Sequence, residues 1–233
     1  MSALEQKRYA GEAAALEVVD GMAVGLGTGS TAEWFVRALG ERVRSEGLQL
    51  RCVVTSEATA QLASRLGLVC EDLDTVGRLD ITVDGADEMS PDLHVIIKGG
   101  GGALLREKLV WKASERCLVI ADESKLTSAP GAFPLAVEVT PFGHATTAAR
   151  LTELTEAPHR LRMAGSDPFQ TDNGNLIYDL RMEVIPEADW LDWELKVITG
   201  VVDHGLFCGL ATDAFIGTDT GVVILTRSRN GDR

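Results

Sequence analysis

The sequence predicts an α/β fold in two parts, a parallel-sheet domain interrupted by a smaller α+β domain. Three observations lead there. Up to about residue 125, short β-branched runs alternate with helical patterns, the order of a parallel sheet crossed by helices. Those runs lack clean polar–apolar alternation, as expected of strands buried on both faces. From about Ala129 the order changes to strand, helix, strand, strand, helix, strand, the split βαβ arrangement. The expectation is a Rossmann-like domain of residues 1–128 plus 207–233, and an inserted ferredoxin-like α+β domain of residues 129–206.

The elements follow in order. An amphipathic helix over roughly residues 3 to 19 leads into the strand MAVGL, a helix from about Thr31 to Glu46, and the strand LRCVV. A helix then starts near Ser56, where Ser56, Glu57 and Thr59 supply capping chemistry. LDITVDGADE, HVIIKGGGG and RCLVIADESK read as three further parallel strands, each ending in a polar cluster, with the helix ALLREKLVWKAS after the glycines. In the inserted part PLAVEVT is a strand and TTAARLTELT a helix. HRLRMA and TDNGNLIYDLRM are strands joined by a loop containing Asp167 and Pro168, EADWLDWELKVIT is a helix, and GVVDHGLF is one strand. AFIGT and GVVILT complete the first domain, and the terminal SRNGDR is expected to fray.

Composition narrows the function. The chain has 233 residues, 45% hydrophobic and 24% charged, with no apolar run near membrane-spanning length and no secretory leader pattern at its start. Twenty-two Lys and Arg against 35 Asp and Glu give a net charge of −13, which opposes nucleic acid as a partner. An anionic small molecule would need a locally positive pocket. Cys52, Cys70, Cys117 and Cys208 form no CxxC pair and read as reduced, buried small hydrophobes of a cytoplasmic protein.

The unusual residues fall where the strands end: GTGST at 27–31, DGADE at 84–88, KGGGG at 98–102 and ADESK at 121–125. Ligands of open α/β sheets bind outside the carboxyl ends of the strands, so these four clusters are expected to converge. The stretch GLGTGST fits a monophosphate held by backbone N–H groups and the hydroxyls of Thr28, Ser30 and Thr31 at a helix N-terminus; it equally fits a glycine turn with Ser30 or Thr31 as N-cap. It matches neither the dinucleotide fingerprint nor the Walker pattern. Asp84, Asp87 and Glu88 suit a turn, sugar hydroxyls or proton transfer, or a divalent metal. Four consecutive glycines would let ligand oxygens meet main-chain N–H groups at the start of a helix. Glu107 lies on the largely apolar stripe of Ala103, Val110, Trp111 and Ser114, where partial burial would raise its pKa toward that of a general base. A salt bridge to Lys98, Arg106 or Lys108 accounts for it as well. Lys98 and Lys125 are candidates to complement anions or ordinary surface lysines, while His94, His144, His159 and His204 share no catalytic or metal-ligand spacing.

In their order and approximate spacing, GLGTGST, TVDGADE, IKGGGGALLREK, ADESK, FPLAVEV, TDNGN and GVVDHGLF resemble the ribose-5-phosphate isomerase type A family, from the opening helix to about Gly217. Ala136 and Thr199 stand where that family commonly has proline and Ile-Pro-Gly. The resemblance implies interconversion of ribose 5-phosphate and ribulose 5-phosphate with no metal and no organic cofactor, in a homodimer or homotetramer for which the inserted domain is a plausible contact. It implies substrate contacts at Thr28, Gly29, Ser30 and Thr31, at Asp84, Gly85, Ala86 and Asp87, and at Lys98, Gly99, Gly100 and Gly101. Ser30, Thr31, Lys125 and Lys7 would surround the phosphate. Glu107 would carry the proton through a cis-enediolate, Lys98 would meet the oxyanion, Asp84 would assist ring opening, and Asp87 would hold hydroxyls. A non-catalytic sugar-phosphate sensor and a coenzyme A transferase-like enzyme with Glu107 as nucleophile are the rival expectations.

Overall fold

The computed structural model describes residues 1–227; SRNGDR, expected to fray, lies outside the described residues. Helix α1 (Ala3–Ala15) opens on a capping box between Ser2 and Glu5 and ends earlier than expected, leaving Leu16 and Val19 exposed. Strand β1 (Ala23–Leu26), helix α2 (Ala32–Glu46) and strand β2 (Arg51–Val54) follow. Helix α3 (Glu57–Arg65) is capped by Ser56, whose hydroxyl accepts from the Thr59 N–H at 3.1 Å. After the single turn α4 (Leu73–Val76) come β3 (Leu79–Gly85), the short β4 (Glu88–Met89) and β5 (Val95–Ile97), then α5 (Leu104–Lys112) and β6 (Ser114–Asp122).

The inserted segment contains β7 (Leu135–Val139), α6 (His144–Thr155), β8 (His159–Leu161), the hairpin of β9 (Met163–Ala164) and β10 (Asp167–Pro168), β11 (Leu176–Leu180), α7 (Ala188–Val197) and β12 (Val201–His204). Strands β13 (Leu206–Cys208), β14 (Asp213–Thr218) and β15 (Gly221–Thr226) close the chain.

The main sheet has the order β15-β14-β6-β3-β1-β2; all neighbours are parallel except the β14–β15 hairpin. Both faces are covered, which explains the missing alternation. Leu118 and Ile120 of β6 pack with α1, α2 and α3 residues, whereas Cys117, Val119 and Ala121 of the same strand pack with Trp111 and Phe207. The inserted sheet runs β12-β7-β11-β8, fully antiparallel, so its strands lie in the order fourth, first, third, second, with α6 and α7 over one face. Its other face, at Ala136 and Ile177, meets Leu104 of α5.

Three expectations need correction. HVII does not join the parallel sheet: β5 pairs antiparallel with β4 and β13 in a separate three-stranded sheet. GVVDHGLF is not one strand but two, divided at Gly205. The Gly205 N–H donates to Ala136 O at 2.8 Å and its carbonyl accepts from the Lys98 N–H at 2.9 Å, so the chain leaves one sheet and enters another within a residue. Asp167 and Pro168 form a strand rather than a loop, and TDNGN is a turn closed by Thr171 and Asn175. A Cβ on Gly205 would stand 2.1 Å from Lys98 O, which is backbone and cannot step aside. Gly205→Ala is therefore expected to lower unfolding stability by on the order of 3 kcal/mol, measured as a shifted urea midpoint at unchanged slope.

Candidate active site

Strands β1, β3 and β6 are adjacent and parallel, so GTGST, the end of DGADE and the 3₁₀ turn Glu123–Lys125 emerge at one rim. The glycine loop belongs to the other small sheet but reaches the same rim, because Asp87 N–H donates to Ile97 O at 2.8 Å and ties β5 to the end of β3. A cavity opens there, lined by Lys7, Thr28, Gly29, Ser30, Thr31, Gly85, Ala86, Asp87, Lys98, Gly99, Gly100, Gly101, Glu107 and Lys125. Every residue for which the family resemblance implies a contact or role is in that lining except Asp84.

One end of the cavity is built for an anion. The first-turn N–H groups of Ser30, Thr31 and Ala32 have no acceptor among the described residues, and Thr31 caps α2 without using its hydroxyl. Lys7 Nζ donates to Ser30 Oγ at 3.1 Å, and Lys125 lies near with no partner among the described residues. Thr28 lines the cavity, and its hydroxyl lies 2.7 Å from Thr55 Oγ1, 2.8 Å from Ser56 Oγ and 3.1 Å from Thr59 Oγ1. Thr59 in turn donates to Gly27 O at 3.0 Å, so this hydroxyl cluster fixes the loop. Ser56 and Thr59 were legible only as helix-capping residues.

The other end is a buried charge cluster. Lys98 Nζ, on a residue 3% exposed, lies 2.5 Å from Gly85 O and 3.2 Å from both Asp84 Oδ2 and Glu107 Oε1. It thus donates to Gly85 O, pairs with two carboxylates and at the same time lines the cavity. Asp84 is fully buried and its Oδ1 accepts from the N–H groups of Thr28 at 3.0 Å and Gly85 at 2.7 Å. It pairs with Lys98 and is not among the residues lining the cavity. Asp87 does line the cavity, with Oδ2 accepting from the Gly100 N–H at 2.8 Å. Glu88 is structural, accepting from the N–H groups of Gly131 and Phe133.

Glu107 combines both sequence alternatives: it pairs with Lys98 and is nearly completely buried, at 4% exposure. Burial raises its carboxyl to about 8, opposed by Lys98 and reinforced by the nearby Asp84 charge. Burial also raises Asp84, against the pull of Lys98. For Lys98, burial works to lower the pKa, but Asp84, Glu107 and Asp87 outweigh it and hold the ammonium above its ordinary range. Two backbone donors favour the negative charge on Asp84 through Oδ1, while Asp84 Oδ2 and Glu107 Oε2 are both buried without a hydrogen-bond partner among the described residues. Asp84 and Glu107 are thus two buried carboxyls flanking one ammonium, and of the two Glu107 lines the cavity.

The glycine quartet answers mostly to the protein itself. Gly99 and Gly102 have φ of +104° and +80°, and a Cβ on Gly100 would fall 2.7 Å from the Asp87 carboxylate. Only at Gly101 would a Cβ enter open space, with Thr28 Cγ2 at 3.8 Å as its sole neighbour. Of the four glycines, Gly99, Gly100 and Gly101 line the cavity and Gly102 does not.

The four histidines lie outside the cavity. His94 bonds Asp189, His144 bonds Tyr178, His159 bonds Thr152, and buried His204 bonds Asp192 O. Cys52 and Cys117 are buried as expected, but Cys70 is exposed, correcting that part of the cysteine expectation. Among the described residues no group of three or more His, Cys, Asp or Glu is arranged to hold a metal ion, and no helix is long and apolar enough to cross a membrane.

Residues 51–221 match the family model described as ribose 5-phosphate isomerase A, or phosphoriboisomerase A. The chain is 56% identical over 229 residues to a ribose-5-phosphate isomerase A of a Caulobacter species, covering 97% of this chain and 99% of that protein. Among solved structures, a D-ribose-5-phosphate isomerase in complex with phospho-erythronic acid superposes with a TM-score of 0.93 at 34% identity, covering 97% of this chain and all of that one. The ribose 5-phosphate isomerase A of Methanocaldococcus jannaschii gives 0.91 at 37% identity, again over 97% of this chain and all of that one.

Proposed function

The chain belongs to the ribose 5-phosphate isomerase A family, and from that membership we propose that Glu107 is the proton carrier of an isomerase interconverting D-ribose 5-phosphate and D-ribulose 5-phosphate. One observation carries the assignment: a buried carboxyl with a raised pKa and a free oxygen lines the same cavity as an unneutralised anion pocket. The phosphate sits against Lys7, Ser30, Thr31 and Lys125 and orients the sugar, so binding energy at the tail lowers the barrier at the head.

In the open-chain aldose, the Glu107 carboxylate takes the proton from C2. The electron pair forms the C1–C2 double bond, and negative charge develops on O1. A proton passes between the two enediolate oxygens, and the same carboxyl returns its proton to C1, giving the ketose. Lys98 holds Glu107 Oε1 in place, leaving Oε2 for the transfer. Asp87 is the carboxylate available to sugar hydroxyls, and the N–H of the glycine loop faces the developing charge.

Incubation of ribose 5-phosphate with the protein in deuterated water, with a strong chelator present, tests this reading. Solvent deuterium should enter the sugar at C2 of the aldose and C1 of the ketose. Isomerisation abolished by the chelator, or binding without exchange, would sink it. Gly101→Ala supplies a second check: the fold should be unaltered, while KM rises roughly tenfold as the added methyl meets the sugar.

A homodimer or homotetramer is the proposed assembly. The exposed Trp190, Trp193 and Val197 on α7 support a contact through the inserted domain, and sedimentation of the intact protein tests it. Four unpaired cysteines agree with a cytoplasmic setting.

A further inference from the structure

The glycine loop is gripped from the side opposite the cavity by an arginine of the inserted segment. Arg162, between β8 and β9, donates from Nη1 to Gly99 O at 2.8 Å and to Gly100 O at 3.2 Å. Its Nε donates to Asp179 Oδ2 at 3.0 Å and its Nη2 to the other oxygen of the same carboxylate. Neither Arg162 nor Asp179 lines the cavity. In a trans peptide the carbonyl and the following N–H point to opposite sides. Fixing Gly99 O therefore turns the Gly100 N–H to the cavity side, where it meets Asp87 at 2.8 Å. Fixing Gly100 O turns the Gly101 N–H the same way, and that N–H has no acceptor among the described residues.

We propose that Arg162, oriented by Asp179, is a positioning residue for the isomerisation: from outside the cavity it locks two consecutive glycine peptides so that the Gly101 N–H faces the oxygen on which charge develops. The inference rests on the assignment of this end of the cavity to Glu107 and the glycine loop. Within the loop the Gly99 carbonyl is also held by the Gly102 N–H at 3.0 Å, but the Gly100 carbonyl has no donor other than Arg162 among the described residues, so the peptide that aims the Gly101 N–H depends on that external clamp. The planar fork of arginine suits the task, since it can serve a carboxylate and two carbonyls together, as a lysine cannot.

Arg162→Gln and Arg162→Lys, made in the full chain, test it through kcat, KM, thermal unfolding, and the affinities of phospho-erythronic acid and inorganic phosphate. The first ligand probes both ends of the cavity and the second only the tail. Arg162→Gln is expected to lose kcat by about tenfold to a hundredfold and to weaken phospho-erythronic acid similarly. Phosphate affinity should stay within about twofold and the acid limb of the pH profile should not move. Arg162→Lys should fall between this variant and the parent. A residue that merely tied strands together would shift the unfolding midpoint and leave kcat alone. Unchanged kcat in a folded Arg162→Gln, or a loss confined to KM with phosphate weakened in step, overturns the inference. Should Arg162→Gln not fold, Arg162→Lys carries the same comparison with the same outcomes. Near-native turnover in Glu107→Gln would remove the underlying reading; an inactive Glu107→Gln beside a fully active Arg162 variant removes only this one.

Discussion

Glu107→Gln should fold as the parent does, bind phospho-erythronic acid, and lose turnover by about three to four orders of magnitude. The amide keeps the size of the side chain and can still meet Lys98 through its carbonyl, but it cannot accept the C2 proton. Folding should survive because the substitution removes a buried acid whose ionised form is disfavoured there. The parent enzyme's pH dependence has a definite sign. Glu107 must be ionised to act as base and burial raises it to about 8, so kcat/KM should rise with pH through the neutral range and level off above it. The phosphate of the substrate titrates near about 6, so a midpoint well above that value belongs to the enzyme. An acid limb in the ordinary carboxylate range would exclude Glu107 from the role.

Lys98→Met should damage both stability and chemistry. The ammonium is surrounded by Asp84, Glu107 and Gly85 O, with the Trp111 and Phe207 rings each centred 5.8 Å away. Its removal strands two buried carboxyls beside one another, a defect worth about 3–5 kcal/mol when a charge remains uncompensated. Protonation relieves that defect. The loss of unfolding free energy should accordingly be greatest at alkaline pH and shrink as pH falls and both carboxyls take up protons. Turnover should drop as well, and its acid limb should move up, because the cation that opposes the rise of Glu107 is gone. A variant as stable as the parent at pH 8, with an unmoved acid limb, would contradict the description of Lys98 as the hub of the cluster.

Much of this architecture was legible because it is local. The cap at Ser56, the doubly buried strands β1, β3 and β6, and the polar residues at their ends follow from patterns a few residues long. The errors share another cause. β5 has the composition of a parallel strand yet pairs with β13, more than a hundred residues away in sequence, and Gly205 divides a run that looks continuous because two sheets meet at it. Periodicity reports that a strand is buried on both faces; it does not report which strands do the burying.

The amino-acid sequence alone determined the family, the order of elements and the residue types gathered at the rim, since each is written in short motifs and in their spacing. Only the tertiary structure decided which way those residues face. Thr28 joins its hydroxyl to those of Thr55, Ser56 and Thr59, Asp84 is fully buried beside Lys98, Lys98 gathers two carboxylates and the Gly85 carbonyl, and Arg162 reaches the glycine carbonyls from 63 positions along the chain. The physical reason is that a side chain's direction and pKa depend on the groups packed around it, and those groups arrive from distant segments whose meeting is settled by the burial of whole faces.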